Sequence, residues 1–181
     1  AHNAAYERID TELNVCIDSD DEMPPDAVEK IVRFWRAHGG DDYAGIIGLD
    51  ADMDGNIIGD RLPEGLKACT LSGLHAIHGV RGDKKLVYRT DLVKAVPPYP
   101  VFPGEKYCPL SYKYLLIDRL RPLLILNEVL CRVEYLPDGS SLNMIRQYRS
   151  NPRGFKFFRQ TAMEVQPTLR QRYREAAHYV S

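Results

Sequence analysis

A short apolar segment stops abruptly at a cluster of carboxylates, and no other feature constrains the fold as much. Residues 13–17 are apolar and partly β-branched, which is typical of a buried strand. The acidic residues 18–21 follow at once, and a helical pattern begins after Pro24 and Pro25. This order of strand, acidic loop and helix predicts an α/β fold. Because ligands of open α/β sheets bind beyond the carboxyl ends of strands, it also predicts a site at the loop.

The rest of the chain alternates between strand and helix patterns. Residues 43–49 and 86–88 predict strands, and residues 123–135 predict another with a break near Asn127. Helices are predicted over residues 110–120 and from residue 140 onward. In the helix that follows Pro25, one apolar stripe is predicted to face the core; it comprises Val28, Ile31, Val32 and Trp35.

Composition excludes several classes of protein. The chain has 181 residues, of which 44% are hydrophobic and 27% charged, as expected for a globular domain. No apolar run approaches the roughly 20 residues that a membrane-spanning helix needs. The four cysteines form no CxxC pair, so we expect a reducing, cytoplasmic compartment. No zinc motif, GxSxG, Walker A or GxGxxG sequence is present, and no nucleic-acid partner is expected.

Charge is distributed unevenly along the chain. Residues 1–60 contain 15 acidic and 4 basic side chains, whereas residues 141–174 contain 8 basic side chains and one Glu. The acidic part could hold a divalent cation, and the basic part could meet phosphate or an anionic surface. The alternative for both is a solvated face.

The acidic loop offers oxygen ligands to a hard cation. Asp18, Asp20 and Asp21 are spaced so that they could ligate Mg²⁺ or Mn²⁺ and leave positions open for diphosphate oxygens. Carboxylates at the start of a helix also stabilise the positive end of its dipole, and this structural alternative stays open.

Residues 50–57 form a rival cation motif. They match the first eight positions of a calcium-binding EF-hand loop, with Asp at positions 1, 3 and 5 and Gly at position 6. The twelfth position is Arg61 instead of Glu, and residues 43–49 predict a strand where an entering helix is required. A hairpin turn is the simpler interpretation, and a non-catalytic calcium-binding module is the alternative.

The order of these segments resembles the family 2 glycosyltransferases of the GT-A fold, in a branch of bacterial polysaccharide enzymes. The resemblance covers about residues 1–160, and each landmark is weakly specific by itself. The landmarks are residues 1–5, 14–21, 24–29, 46–50, 56–59, 82–84, 87–90, 102–107, 126–128, 134–139 and 151–154, with Pro63 and Asn143.

The resemblance implies transfer of a sugar from a nucleotide-diphosphate donor to a hydroxyl of a saccharide or lipid-linked acceptor, usually with inversion. It places Mn²⁺ or Mg²⁺ at Asp18, Asp20 and Asp21, and the donor near Asn3, Asp18 and Asp20. Glu105 lies near the family's general base, but Lys106 follows it where the family often has Asp. Asp83 is therefore a second candidate base.

By the same resemblance, the chain corresponds to the C-terminal part of a GT-A mixed-sheet domain, without the nucleotide-binding half that comes first. We expect a partial transferase domain over residues 1–140, a basic helical extension over residues 141–181, and little activity from this piece alone. A nucleotidyltransferase is the nearest alternative enzyme, because it also positions a metal with carboxylates in an α/β domain.

The last helical segment has apolar and basic residues on different faces. Its apolar face is expected to pack on the domain, with the arginines in solvent. The alternative is peripheral attachment to an anionic membrane at its inner face, close to a lipid-linked acceptor. The apolar face comprises Leu169, Tyr173, Ala176, Ala177 and Val180.

Overall fold

A computed structural model describes residues 1–135, 139 and 143–180 of the chain. Over these residues, five strands form one mixed sheet with helices on both faces. The strands are β1 (Leu13–Val15), β2 (Gly45–Ala51), β3 (Ala68–Cys69), β4 (Lys84–Arg89) and β5 (Leu123–Arg132). The helices are α1 (His2–Arg8), α2 (Ala27–His38), α3 (Leu71–Ala76), α4 (Thr90–Ala95), α5 (Ser111–Asp118), α6 (Met144–Ser150), α7 (Pro152–Val165) and α8 (Leu169–Val180).

The strand order is β1-β4-β2-β5-β3. Strand β4 is antiparallel to both β1 and β2, and β5 is parallel to β2 and antiparallel to β3. All seven residues of β2 are buried, as expected for a central strand that is covered on both faces. The predicted break in the last strand is confirmed, because the pairing of β2 with β5 shifts between Ile47↔Ile125 and Leu49↔Val129. Asn127 lies in this irregular stretch and exchanges two hydrogen bonds of 2.9 Å with the backbone of Leu62.

Helix α2 covers one face of the sheet, with only part of its predicted stripe. Ile31 and Trp35, which are one helical turn apart and therefore share a face of the helix, pack there against Ile46 and Val87. Val28 and Val32 are exposed, so their predicted burial was wrong. Each valine follows a buried residue by one position, which is a rotation of about 100° around the helix axis. This rotation places both valines on the solvent side of the helix.

The opposite face of the sheet carries the larger core, to which α7 contributes Phe158 and Ala162. Arg159 of α7 joins the three C-terminal helices, because its guanidinium pairs with Glu175 of α8 and donates to the Tyr148 hydroxyl of α6 at 2.8 Å. The predicted boundary between residues 140 and 141 lies outside the described residues.

Helix α8 is oriented differently from the sequence expectation. Glu175 is the buried side chain that faces α7, whereas Leu169, Tyr173 and Val180 are 70–81% exposed. The expected packing of that apolar face on the domain was therefore wrong. In this orientation the Glu175 carboxylate pairs with the Arg159 guanidinium, which compensates both buried charges.

Candidate active site

Topology brings the ends of four strands to one edge of the sheet. Strands β1, β2 and β5 run in the same direction, so their carboxyl ends meet there, next to the start of β4. A cleft of about 930 Å³ opens at this edge, and the loop of residues 99–108 forms its other wall. Open α/β sheets bind ligands in this position, which makes the cleft the candidate active site.

Every site residue that the sequence predicts lines this one cleft, although they come from distant parts of the chain. Their roles in chemistry stay predictions. They are Asn3, Asp18, Asp20, Asp21, Asp83 and Glu105.

The acidic loop presents its carboxylates in two directions. Asp18 and Asp20 are exposed to the cleft. The side chain of Asp21 is only 7% exposed, and its oxygens lie 3.4 Å from the Glu134 amide and 3.8 Å from the Cys131 sulfur. The loop is closed by a hydrogen bond of 3.1 Å from the Asp21 amide to the Asp18 carbonyl.

Asp18 and Asp20 are the two carboxylates that this loop exposes to the cleft, and their binding of a cation stays a prediction. Among the described residues, no three His, Cys, Asp or Glu side chains converge to hold a metal by themselves. Mg²⁺ in nucleotide sites is commonly held by only one or two carboxylates together with substrate phosphates. Asp18 and Asp20 supply such a pair, whereas the inward contacts of Asp21 set it apart from them.

The floor of the cleft contains a group that the sequence reasoning missed. Lys85 of β4 places its ammonium 3.8 Å from Asp21 Oδ2 and 3.9 Å from Asp50 Oδ1. Burial raises the pKa of Asp50 to about 6, although the ammonium of Lys85 opposes the shift. A signal was available, since two lysines directly follow Asp83 at the start of an apolar strand.

Glu105 makes the contacts of a helix cap. One oxygen accepts hydrogen bonds of 3.0 Å from the amide and Nε of Arg153, and the other accepts one of 2.8 Å from the Gly154 amide, all in the first turn of α7. Burial raises the pKa of Glu105, but the hydrogen bonds from Gly154 and Arg153 lower it more, and the net shift is downward. These contacts engage both of its carboxylate oxygens, and its role as a general base stays a prediction.

Asp83 faces the cleft with fewer partners. It is exposed, and its Oδ2 accepts a hydrogen bond of 3.1 Å from the Tyr135 hydroxyl. The preceding turn is held by buried Lys84, whose ammonium lies 3.0–3.3 Å from four backbone carbonyl oxygens. These belong to Ile58, Arg81, Gly82 and Asp83 itself.

Asn3 lines the cleft beside its other wall. Its amide nitrogen donates to the Tyr99 carbonyl at 2.8 Å, and its amide oxygen accepts from the Tyr99 amide at 2.9 Å. Asn3 therefore fastens α1 to the loop of residues 99–108. Its predicted contact with a donor stays a prediction.

The calcium alternative does not fit the observed structure. Strand β2 occupies the position where an EF-hand requires a helix, and Asp50 is buried against Lys85. Asp52 accepts hydrogen bonds of 2.8 and 2.9 Å from the amide and side chain of Asn56, which closes a tight turn. The hairpin-turn interpretation of this segment is confirmed by the bridge between Ala51 and Ile57.

No protein-family model matches the chain, and no curated protein matches it either. Its structure is similar to two crystal structures of S. aureus TarS 1–349. For the one in complex with UDP-GlcNAc, the TM-score is 0.57 at 15% sequence identity, over 98% of this chain and 50% of that chain. For the second, the TM-score is 0.50 at 13% identity, over 98% and 48%. The chain shares its fold with these two structures.

The expected α/β class with a mixed sheet is thereby confirmed. Identity this low shows the fold alone, and the chain spans about half the length of the structures that it matches. In the part of the chain that the structure describes, no helix is both long and apolar enough to cross a bilayer. All four cysteines are free thiols.

Proposed function

We propose that the chain is part of a family 2 glycosyltransferase, which moves a sugar from a nucleotide-diphosphate donor to a hydroxyl of a saccharide or lipid-linked acceptor. One observation carries the proposal: Asp18 and Asp20 are exposed at the carboxyl end of β1, in a cleft that also contains Asp83. The similarity to TarS, which was crystallised in complex with UDP-GlcNAc, supports this donor class.

Asp18 and Asp20 would hold Mn²⁺ or Mg²⁺. The cation, when bound, would neutralise the charge that develops on the leaving diphosphate. Both residues line the cleft, where diphosphate oxygens could complete the coordination.

Asp83 is our candidate for the general base. It would accept the proton of the acceptor hydroxyl while that oxygen attacks the anomeric carbon, opposite the leaving diphosphate, which inverts the configuration. The Tyr135 hydroxyl and the turn held by Lys84 keep its carboxylate in place. Glu105 is the less suitable base because its oxygens already accept three hydrogen bonds.

Calorimetric titration of a full-length transferase that contains this chain with UDP-GlcNAc, with and without Mn²⁺, tests this proposal. Binding is expected only with Mn²⁺, and Asp20→Asn should weaken it at least about 100-fold, because a neutral amide is a far poorer ligand for a hard cation. Asp54→Asn removes an exposed carboxylate from the nearby turn and should leave affinity unchanged. Mn²⁺-independent binding, or equal loss in both variants, would contradict the metal assignment. Tighter binding of UTP than of UDP-GlcNAc would favour the nucleotidyltransferase alternative.

The exposed face of α8 supports a second part of the proposal, which is attachment to an anionic membrane surface. Leu169, Tyr173 and Val180 form an exposed stripe along the helix, and exposed Arg170 and Arg174 flank it. Such a helix lies in the plane of a bilayer interface, with its apolar side chains inserted and its cations near the headgroups. This placement would bring the cleft to a lipid-linked acceptor.

Co-sedimentation with vesicles checks the attachment. Binding to anionic vesicles at low salt is expected to weaken at high salt and to be absent with neutral vesicles. Each cation near the surface contributes about 1 kcal/mol, so the double variant Arg170→Gln/Arg174→Gln should bind about 30-fold more weakly. Arg33→Gln/Arg36→Gln on α2 is the matched control and should bind normally. Lack of binding to anionic vesicles at low salt would contradict the attachment.

A further inference from the structure

Lys85 occupies a special position in the sheet. Strand β4 lies between β1 and β2, with Val87 opposite Val15 of β1 and Lys85 opposite Gly48 of β2. Lys85 is therefore level with the point where β1 has ended and the acidic loop begins. Its side chain is only 12% exposed at the floor of the cleft.

The ammonium of Lys85 lies close to two buried carboxylates. Asp21 and Asp50 have side chains that are 7% and 4% exposed, and both lie within 4 Å of Lys85 Nζ. Among the described residues, Asp50 Oδ1 has no hydrogen-bond partner, which makes the ammonium its compensating group. Burial lowers the pKa of Lys85, but Asp50 and the other neighbours raise it more, so the ammonium stays charged.

We propose that Lys85 is the positioning residue of the acidic loop. By sharing its charge between Asp21 and Asp50, it ties the end of the loop to the sheet and withdraws Asp21 from the cation-binding set. The loop then presents Asp18 and Asp20 to the cleft. The part of this inference that concerns the cation rests on the proposed function, whereas the tie between Lys85 and the two carboxylates stands on the contacts alone.

A thermal double-mutant cycle tests the tie without any ligand. Lys85→Met leaves two buried carboxylates without a cation, and its melting temperature is expected to fall by about 6–12 °C. Adding Asp21→Asn or Asp50→Asn to Lys85→Met should recover part of the loss, because each removes one uncompensated charge. Lys30→Met, which breaks surface pairs with Asp26 and Glu128, is the control and should shift melting by about 3 °C or less. Double variants that melt no higher than Lys85→Met, or that stay unfolded with it, overturn the tie.

Mn²⁺ titration tests the positioning, at a temperature where all variants are folded. Asparagine at position 21 still has an oxygen that can accept a hydrogen bond from Lys85, so Asp21→Asn should keep Mn²⁺ affinity within about threefold, whereas Asp20→Asn should lose it. Lys85→Met should weaken Mn²⁺ binding about tenfold, and Lys85→Arg should retain it. Removal of a nearby positive charge would by itself strengthen cation binding, so a fall reports the lost geometry of the loop.

The outcomes separate the two proposals. Equal loss of affinity in Asp21→Asn and Asp20→Asn, or unchanged or tighter binding by Lys85→Met, overturns the positioning role. If the unsubstituted chain binds no Mn²⁺, the proposed function and the positioning role both fail, and the thermal cycle still decides whether Lys85 ties the loop to the sheet.

Discussion

Replacing Asp83 by asparagine is expected to slow sugar transfer by about 10²–10⁴-fold, the usual contribution of a positioned general base. Asparagine preserves the size of the side chain and can still accept a hydrogen bond from Tyr135, but it cannot take a proton. The rate is measured on a full-length transferase that contains this chain, as release of UDP from UDP-GlcNAc in the presence of a saccharide acceptor. If the transfer rate falls by this factor while the affinity for UDP-GlcNAc is unchanged, the variant has lost a base and not a donor-binding group.

Glu105→Gln is the comparison variant for this measurement. Because Glu105 accepts three hydrogen bonds at the start of α7, the variant should lower the melting temperature. Its transfer rate should fall much less than that of Asp83→Asn. A large fall in rate for Glu105→Gln, together with a normal rate for Asp83→Asn, would reverse the assignment and return the base to Glu105.

Gly45→Ala is expected to abolish folding of the chain. Gly45 begins β2 at a φ of +147°, and a Cβ there would lie 1.9 Å from the Val87 carbonyl oxygen of the neighbouring strand. No rotamer can relieve a clash with backbone, so the central pairing of β2 with β4 must open. The free energy of unfolding should fall by on the order of 5 kcal/mol or more, which is comparable to the whole stability of a domain.

Gly40→Ala is a matched control, since its φ of +148° is nearly the same but a Cβ there meets nothing within 4 Å. Gly40→Ala should lower the free energy of unfolding only by the backbone strain, about 1–3 kcal/mol, and the protein should still fold. Circular dichroism and thermal melting of both variants make the comparison. Two variants with equal melting temperatures would show that the close approach of β2 and β4 does not limit stability.

Local patterns predicted the elements that carry strong signals. The apolar runs before Asp18, after Gly45 and after Pro122 are strands of the sheet, and the central one is buried along its whole length. The short helices α1 and α3 lacked such a signal. Helix α3 depends on Asp118, which accepts hydrogen bonds from the amides of Leu71 and Ser72 across 46–47 residues, and no local pattern reveals such a partner.

The faces of helices were predicted less well than their positions. An apolar stripe indicates which side chains could be buried together. The elements that pack against the helix decide which of those side chains are buried. On α2 the sheet accepts the row of Ala27, Ile31 and Trp35. On α8 it is Glu175 that faces α7 and pairs with Arg159, and the apolar stripe faces outward.

The amino-acid sequence by itself determined the α/β class and the acidic loop at the end of an apolar strand, because both depend on residues that are adjacent in the chain. It also pointed to Asp18, Asp20, Asp83 and Glu105. Only the tertiary structure decided which of these carboxylates face solvent and which are already bound. Glu105 caps α7 through a residue 48 positions away, and Lys85 contacts Asp21 and Asp50 across 64 and 35 positions. Such contacts depend on the order of strands in the sheet, which local sequence patterns do not reveal.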